Sequence, residues 1–412
     1  MKKTLLSAAA FAVAGVSAVA IMPTTSEAIP AFARQTGAAC LSCHFQTFPA
    51  VNAFGRSFKL NAFTDVGEQA LVEDEGLSLP SVLNASFVLR AQYTLAKTTT
   101  ALGVTSSART WGIPADAVML IAGRVAPTTG AFVEFAGGAA NWQLMNSFDL
   151  DGLKVGLNIA NTGFGVTSAL ETTNVYGQHG GKLNGKAVSA VETIITGGVK
   201  ANAVLSGIGA NGGNTTSVAL WTGNDSFTVQ GTLVALADAA GAASPNLLPM
   251  LRGTYVADLG GAEMLIGAGL LAGTQSTAAA ATGADAKWVD LQIQGEMGDA
   301  SYGVYADWVN TKAKAVGGAL VGSNAFANNA NSKRDGFGIR GEVKPLHHVM
   351  FGIGYLSDKT TTAGAATKTT TTQLAATYEV FQNMEINTWY SNANTSGGSS
   401  VKTYFAEVEA LM

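Results

Sequence analysis

Residues 288–309 read WVDLQIQGEMGDASYGVYADWV. Apolar Val289, Leu291 and Ile293 alternate with polar Asp290, Gln292 and Gln294, the period-2 pattern of a strand with one apolar face. A short turn at 297–300 leads into a second alternating run, so the stretch predicts a β-hairpin. The same rhythm begins at SVLNASFVLRAQYTLAK (81–97). It continues through VMLIAGRVAPTTGAFVEFAG (118–137) and WQLMNSFDLDGLKVGLNIA (142–160), the latter turning at Asp151-Gly152, a favoured hairpin dipeptide. VETIITGGVKANAVL (191–205), VALWTGNDSFTVQGTLVAL (218–236) and MLRGTYVADLGGAEMLIGAGLL (250–271) each read strand, turn, strand. So do FGIRGEVKPLHHVMFGIGYL (337–356) and LAATYEVFQNMEINTWY (374–390), and VKTYFAEVEALM (401–412) is a last strand.

The composition says what these hairpins are for. The 412 residues are 47% hydrophobic and only 13% charged, roughly half the charge usual in a soluble domain. Beyond the N-terminus no apolar run is long enough for a spanning helix. A closed β-barrel is the other structure that can cross a bilayer, and alternation dilutes its hydrophobic signal. We therefore expect an all-β chain: a transmembrane outer-membrane β-barrel of about 16 strands, within a range of about 16–18. Short turns (125–130, 149–152, 259–262, 297–300, 345–348) alternate with long loops (161–186, 273–286, 311–334, 358–370), as periplasmic turns alternate with external loops. Trp142, Trp221, Trp288, Trp308, Trp389 and Tyr390 fall near strand ends, as interface girdles require. A soluble β-sandwich or β-helix would share the short strands and Gly-rich turns. It would not share the low charge or the export signal. The net charge of −4, with no basic stripe, argues against nucleic acid.

The organisation expected is a signal peptide (1–28), a monohaem cytochrome c segment (29–65), a linker (66–80) and a porin-like barrel (81–412). Lys2 and Lys3 precede the apolar run Leu5–Ile21, with small-residue cleavage sites after Ala20 or Ala28. Export places the only two cysteines, Cys40 and Cys43, in an oxidising compartment. With His44 they spell Cys-x-x-Cys-His, the spacing for two thioether bonds to haem and an axial imidazole. Zinc would need a second ligand pair, a thioredoxin-like site needs a βαβ setting, and a plain disulfide leaves His44 unexplained.

Phe45, Phe48, Phe54 and Phe58, with Phe32 and Phe63, supply flat apolar surface for a macrocycle. Arg34, Arg56 and Lys59 are candidates to hold its propionates. So short a segment cannot cover both haem faces alone. The barrel lumen or its periplasmic mouth should complete the pocket. For the second axial ligand, His347 and His348 in a predicted periplasmic turn compete with Met119, Met145, Met350 and water. Glu134, Asp149, Asp151, Glu192, Asp225, Glu263, Asp290, Glu296 and Glu342 fall in or near strands and suit hard cations by type, or simply solvate a channel.

The segment AIPAFARQTGAACLSCHFQTFPAVNAFGRSFKLNAF (28–63), placed before a porin-like barrel, resembles the fused cytochrome–porins of the outer membrane of iron-oxidising bacteria. The likeness is tightest in Pro30–Gly37, the haem motif, and Phe54-Gly55-Arg56 with Phe58-Lys59. It covers under a tenth of the chain; the barrel matches only in architecture. The resemblance implies a single covalent haem c, extracellular Fe(II) as electron donor, a periplasmic carrier such as a cytochrome c as acceptor, and outer-membrane lipid as surroundings. Two other functions compete with it: a haem-bearing porin for small solutes, and an electron conduit for another donor.

Overall fold

The computed structural model describes residues 30–67, 69–75, 77–136, 139–162, 170–176, 188–196, 215–235, 247–276, 281–314, 324–327 and 331–412. The signal peptide expected at 1–28, His179, and the greater part of the loop expected at 161–186 lie outside them.

Sixteen antiparallel strands close into a barrel, each paired with its neighbour in sequence order. The first, Ala85–Thr99, and the last, Ser400–Leu411, seal the wall, with Val88 opposite Leu411 and Thr99 opposite Ser400. Met412 extends the seam: Phe87 N–H donates to its carbonyl and Met412 N–H donates back to Phe87 O. Every strand edge is paired, so the barrel meets the demand that lipid makes of backbone polar groups.

Alternation sets the two faces. On Asp285–Met297, Asp290, Gln292 and Gln294 are buried towards the lumen while Val289 is about half exposed on the outside. Leu220, Ile266, Ile353 and Leu374 point outwards in the same way. An outer wall this apolar in contact with water would be untenable over such an area, and its counterpart is lipid.

The short turns fall where the alternation predicts them, after Ala126, Leu150, Asp258, Met297 and Leu346. Several expectations are corrected. Trp221 and Trp288 are buried in the lumen, whereas Trp142 and Trp308 are exposed on the outside; one step of parity moves a side chain across the wall. The region 358–370 is not a long loop. Val349–Thr362 and Ala365–Phe381 run on as a paired hairpin, turning at Ala363-Gly364, because threonine favours extended backbone even where the wall has left the apolar zone. Thr105–Ala126 likewise extends over 22 residues. The stretch read as a linker carries its own hairpin, Leu71–Asp74 with Leu77–Pro80.

The largest correction concerns the lumen. A barrel of this size can hold water, but here two layers of chain fill it. Towards the short-turn end, Ala31, Phe58, Leu60 and Phe63 of the N-terminal segment pack on Val88, Leu120, Phe132, Met145 and Trp221 of the wall. Towards the long-loop end, Val175, Tyr176, Val188, Val191, Ile194 and Ile195 pack on Leu248, Met250, Trp288, Tyr305 and Val309. The second layer comes from the chain between Thr162 and Thr215, read from sequence as an external loop and a hairpin. Residues 192–196 are a π-helical turn rather than a strand; residues 197–205 lie outside the described residues. Ile194 and Ile195 are buried in the barrel's core and join no ladder.

Candidate functional site: a haem-motif segment inside the barrel

Three short helices build the N-terminal segment: α1 (Pro30–Thr36), α2 (Cys40–Cys43) and α3 (Ala53–Leu60). Gln35 on α1 is completely buried. Its amide donates to Phe63 O (2.6 Å) and Asp65 O (2.8 Å), and its carbonyl accepts from Arg124 N–H (2.9 Å) and Asn84 Nδ2 (3.2 Å). One side chain thus ties the start of the segment, its end and the wall. Gly123 makes this possible: its φ is +137°, and a Cβ there would sit 2.1 Å from the Gln35 carbonyl.

Cys40 and Cys43 flank the single turn of α2, both buried and not joined to each other. Burial, with a smaller contribution from Asp65, pushes the Cys43 thiol up to about 11, so it stays protonated at neutral pH. The His44 N–H closes the turn on Cys40 O (2.9 Å). The His44 ring is buried, with Nδ1 3.1 Å from Ala50 O and Phe48 edge-on at 5.3 Å. A proton on Nδ1 satisfies that carbonyl and makes Nε2 the acceptor nitrogen of the ring, the usual way a ligating imidazole is fixed.

Asn52 locks α2 to α3. Its Oδ1 accepts from Gly55 N–H (3.0 Å), capping α3, while Nδ2 donates to Ser42 O (3.0 Å) and, at longer range, to Leu41 O and His44 O. The helices touch at Gly55, where a Cβ would lie 2.1 Å from Cys43 O. No side chain other than hydrogen fits there.

Cys43, His44, Phe48, Val51, Phe58, Lys59 and Phe63 line one cavity of about 690 Å³, counting its open mouth, with Phe132 and Gln143 contributed by the wall. Phe32 stands at its edge between Phe58 (5.1 Å, edge-on) and Phe63 (5.2 Å, stacked). Lys59 is buried with no hydrogen-bond partner for Nζ and with Glu171 3.9 Å away. Burial lowers its pKa, and Glu171 works in the opposite direction. A buried ammonium that makes no hydrogen bond, facing an apolar cavity, suits a further anionic partner.

These residues fit a c-type haem: two thiols on one helical turn, an imidazole oriented through Nδ1, aromatic walls and a buried cation. Cys43, His44, Phe48, Phe58 and Lys59 of the expected set converge on the cavity. Cys40, Arg34, Arg56, Phe45 and Phe54 do not line it. Arg34 donates to Ala85 O on the wall (2.6 Å). Arg56 pairs with Glu263 (2.5 Å) and, with Phe54, borders a separate groove at the short-turn end. His347 and His348 lie in the predicted turn with rings stacked at 4.6 Å, away from the cavity lining. Met145, fully buried in the apolar cluster of Phe58 and Phe63, is nearer in the packing than Met119 or Met350.

Sequence reasoning missed Gln35, Asn52 and above all Asn174. Asn174 enters from the inward layer and grips Val51 on both sides: Val51 N–H donates to Oδ1 (2.8 Å), and Nδ2 donates to Val51 O (2.7 Å). Arg340 holds the same turn by donating to Asn174 O (2.6 Å) and Val175 O (3.0 Å), with its charge on Glu342 and its plane over the Tyr305 ring. The cap signal of Asn52, one residue before a helix, was readable; a loop asparagine more than a hundred residues away was not. Of the strand carboxylates, Asp290 pairs with Arg252, Glu342 with Arg340 and Glu263 with Arg56.

Fold and site together define a transmembrane, porin-like β-barrel of the outer-membrane type whose lumen is occupied by its own N-terminal segment. Among solved structures the chain is similar to the outer-membrane expressed OmpT of Vibrio cholerae, at 12% identity and TM-score 0.47, covering 83% of this chain and all of that one. It is also similar to an anion-selective porin from Comamonas acidovorans (10%, TM-score 0.47, 80% and 99% covered) and to OccAB4 of Acinetobacter baumannii (8%, TM-score 0.45, 80% and 97%). Nothing functional passes from them to this chain. No family model matches the sequence, and no curated protein does.

Proposed function

We propose that this protein is an outer-membrane electron-transfer protein that takes electrons from extracellular Fe(II) and delivers them to a periplasmic carrier, with one covalent haem c as its redox group. The observation that carries the reading is the Cys40-x-x-Cys43-His44 turn, with unjoined thiols, standing at an aromatic cavity inside a membrane barrel. Bound there, the haem supplies a one-electron couple. Cys40 and Cys43 would tether it, His44 would ligate its iron with the ring oriented through Ala50 O, and Lys59 would hold a propionate. The packed lumen supports a path for electrons over a path for solutes, since both layers of chain stand where a solute would pass. Iron as the donor follows from the resemblance of residues 28–63 to the cytochrome–porins and from no feature of the cavity.

The test uses the full chain in bilayers. After denaturation and reduction, a c-type band should stay with the polypeptide, and mixing the native protein with Fe(II) should give a reduced haem spectrum within seconds. Cys40→Ala with Cys43→Ala should abolish both while leaving barrel insertion intact. A chain that conducts small solutes and is never reduced would establish the haem-bearing porin instead. Reduction by sulfide or an electrode but not by Fe(II) would keep the conduit and replace its donor.

A further inference from the structure

Three pairs of lysines stand directly opposite one another on neighbouring strands: Lys97 with Lys402, Lys312 with Lys333, and Lys359 with Lys368. All six are exposed. Strand parity puts them on the outer face, in step with Trp308, Phe337, Ile353, Leu374 and Tyr404. Lys287 and Arg109 join them on the same face. Among the described residues of this band, Asp285, opposite Lys312, and Asp335, opposite Lys359 and 3.8 Å from Lys333, are the counter-charges. Like charges directly across a ladder destabilise it. Edge protection, a common use of strand lysines, has no purpose in a closed barrel.

The position of the band is specific. All eight cations lie at the strand ends away from the chain termini, on the side of the long loops. Just inside them runs an outward aromatic belt: Tyr93 with Trp111 (4.6 Å), Tyr390 with Tyr404 (5.1 Å), and Trp308. Lys97 Nζ sits 5.8 Å above the Tyr404 ring and Lys287 Nζ 5.8 Å above Trp308. Such a belt marks the level of lipid headgroups. The opposite end carries the opposite sign, with Asp149, Asp151, Asp225, Asp258, Glu296 and Asp299 exposed on the short turns.

We propose that this lysine band binds phosphorylated lipid headgroups of the leaflet on the long-loop side, each opposed pair closing on a phosphate. A phosphate between two ammonium groups converts their repulsion into two charge-assisted hydrogen bonds. The adjoining tyrosines and tryptophans hold the amphipathic boundary of the same lipid.

The full-length protein is reconstituted in phosphatidylcholine bilayers with diphosphorylated lipid A, with lipid A stripped of its phosphates, or with added inorganic phosphate. The melting midpoint should rise with the phosphorylated lipid alone, and that lipid should survive detergent washing. The variant K97Q/K312Q/K333Q/K359Q/K368Q/K402Q should melt in phosphatidylcholine no lower than the native chain, since the opposed charges are gone, and should lose both the rise and the retained lipid. An equal rise in the variant, or with dephosphorylated lipid A, overturns the proposal, and an equal rise with inorganic phosphate overturns the lipid assignment. If the sixfold variant fails to insert, K359Q/K368Q should lose part of the rise, and an undiminished rise there overturns the proposal equally.

Discussion

Three residues of the N-terminal segment respond to substitution in ways the geometry fixes. Gly55→Ala forces a methyl against Cys43 O, so α2 and α3 must separate. We expect a cost of about 1–3 kcal/mol, the usual range for overpacking, and a lower haem-to-protein ratio in purified material. Lys59→Met should leave the apoprotein folded while reducing haem retention after detergent washing, because it removes the cation that lines the cavity without a hydrogen bond. Asp65 is held above the ordinary carboxylate range chiefly by burial, with Asn61 hydrogen bonding to both its oxygens in opposition. A carboxyl with a raised folded pKa contributes stability below its unfolded value, about 3.9, and loses it as pH rises through the folded value. Asp65→Asn should therefore stabilise the segment at neutral pH and flatten that stretch of the pH profile, measured by melting the variant across it. Cys40, Cys43 and His44 could be singled out from spacing alone, because thioether attachment would demand that spacing. Arg56 could not be read correctly: its sequence neighbourhood says propionate, and only the fold shows it facing Glu263.

Among the elements, the inward turn 170–176 matters most for the site, and it was the least legible. Glu171, Thr172, Thr173 and Asn174 are polar in sequence, which reads as an external loop, yet all four are buried. Their partners are far away in the chain: Lys59 for Glu171, Val51 for Asn174, and Arg340 for the backbone of Asn174. Asn174→Leu removes both hydrogen bonds from Val51, whose strand-like bridge with His44 supports the imidazole. Unmade buried hydrogen bonds cost about 1–3 kcal/mol each. The expected outcome is faster amide exchange at Val51 and a shifted haem reduction potential, and an unchanged potential would show that the turn only packs. The barrel strands were far easier to read, since alternation is local. Their misassignments, at 191–196 and 358–370, come from β-branched runs whose period does not say whether they join a ladder.

For the whole molecule, closure is independent of filling. The ladder from Ala85 to Leu411 is complete without any residue of the N-terminal segment, so deleting 30–63 should leave a barrel that inserts. Because the inward layer fills the other half of the lumen, that deletion alone should give little conductance in planar bilayers. Deleting 30–63 and also shortening 170–196 should open a pore. Large conductance from the first deletion would mean that the N-terminal segment is the sole barrier. The opposite charge of the two ends, lysines by the long loops and carboxylates on the short turns, gives the barrel a direction as well as a seal.

The amino-acid sequence by itself determined two things: the Cys40-x-x-Cys43-His44 spacing on which the haem proposal rests, and a wall of alternating strands joined by short turns. Both follow from patterns a few residues long. The tertiary structure decided what fills the barrel and which residues complete the cavity. Phe132, Gln143, Glu171 and Asn174 reach Phe58, Lys59 and Val51 only when the sheet has closed. Closure converts sequence separation of a hundred residues into contact, and no local period records that.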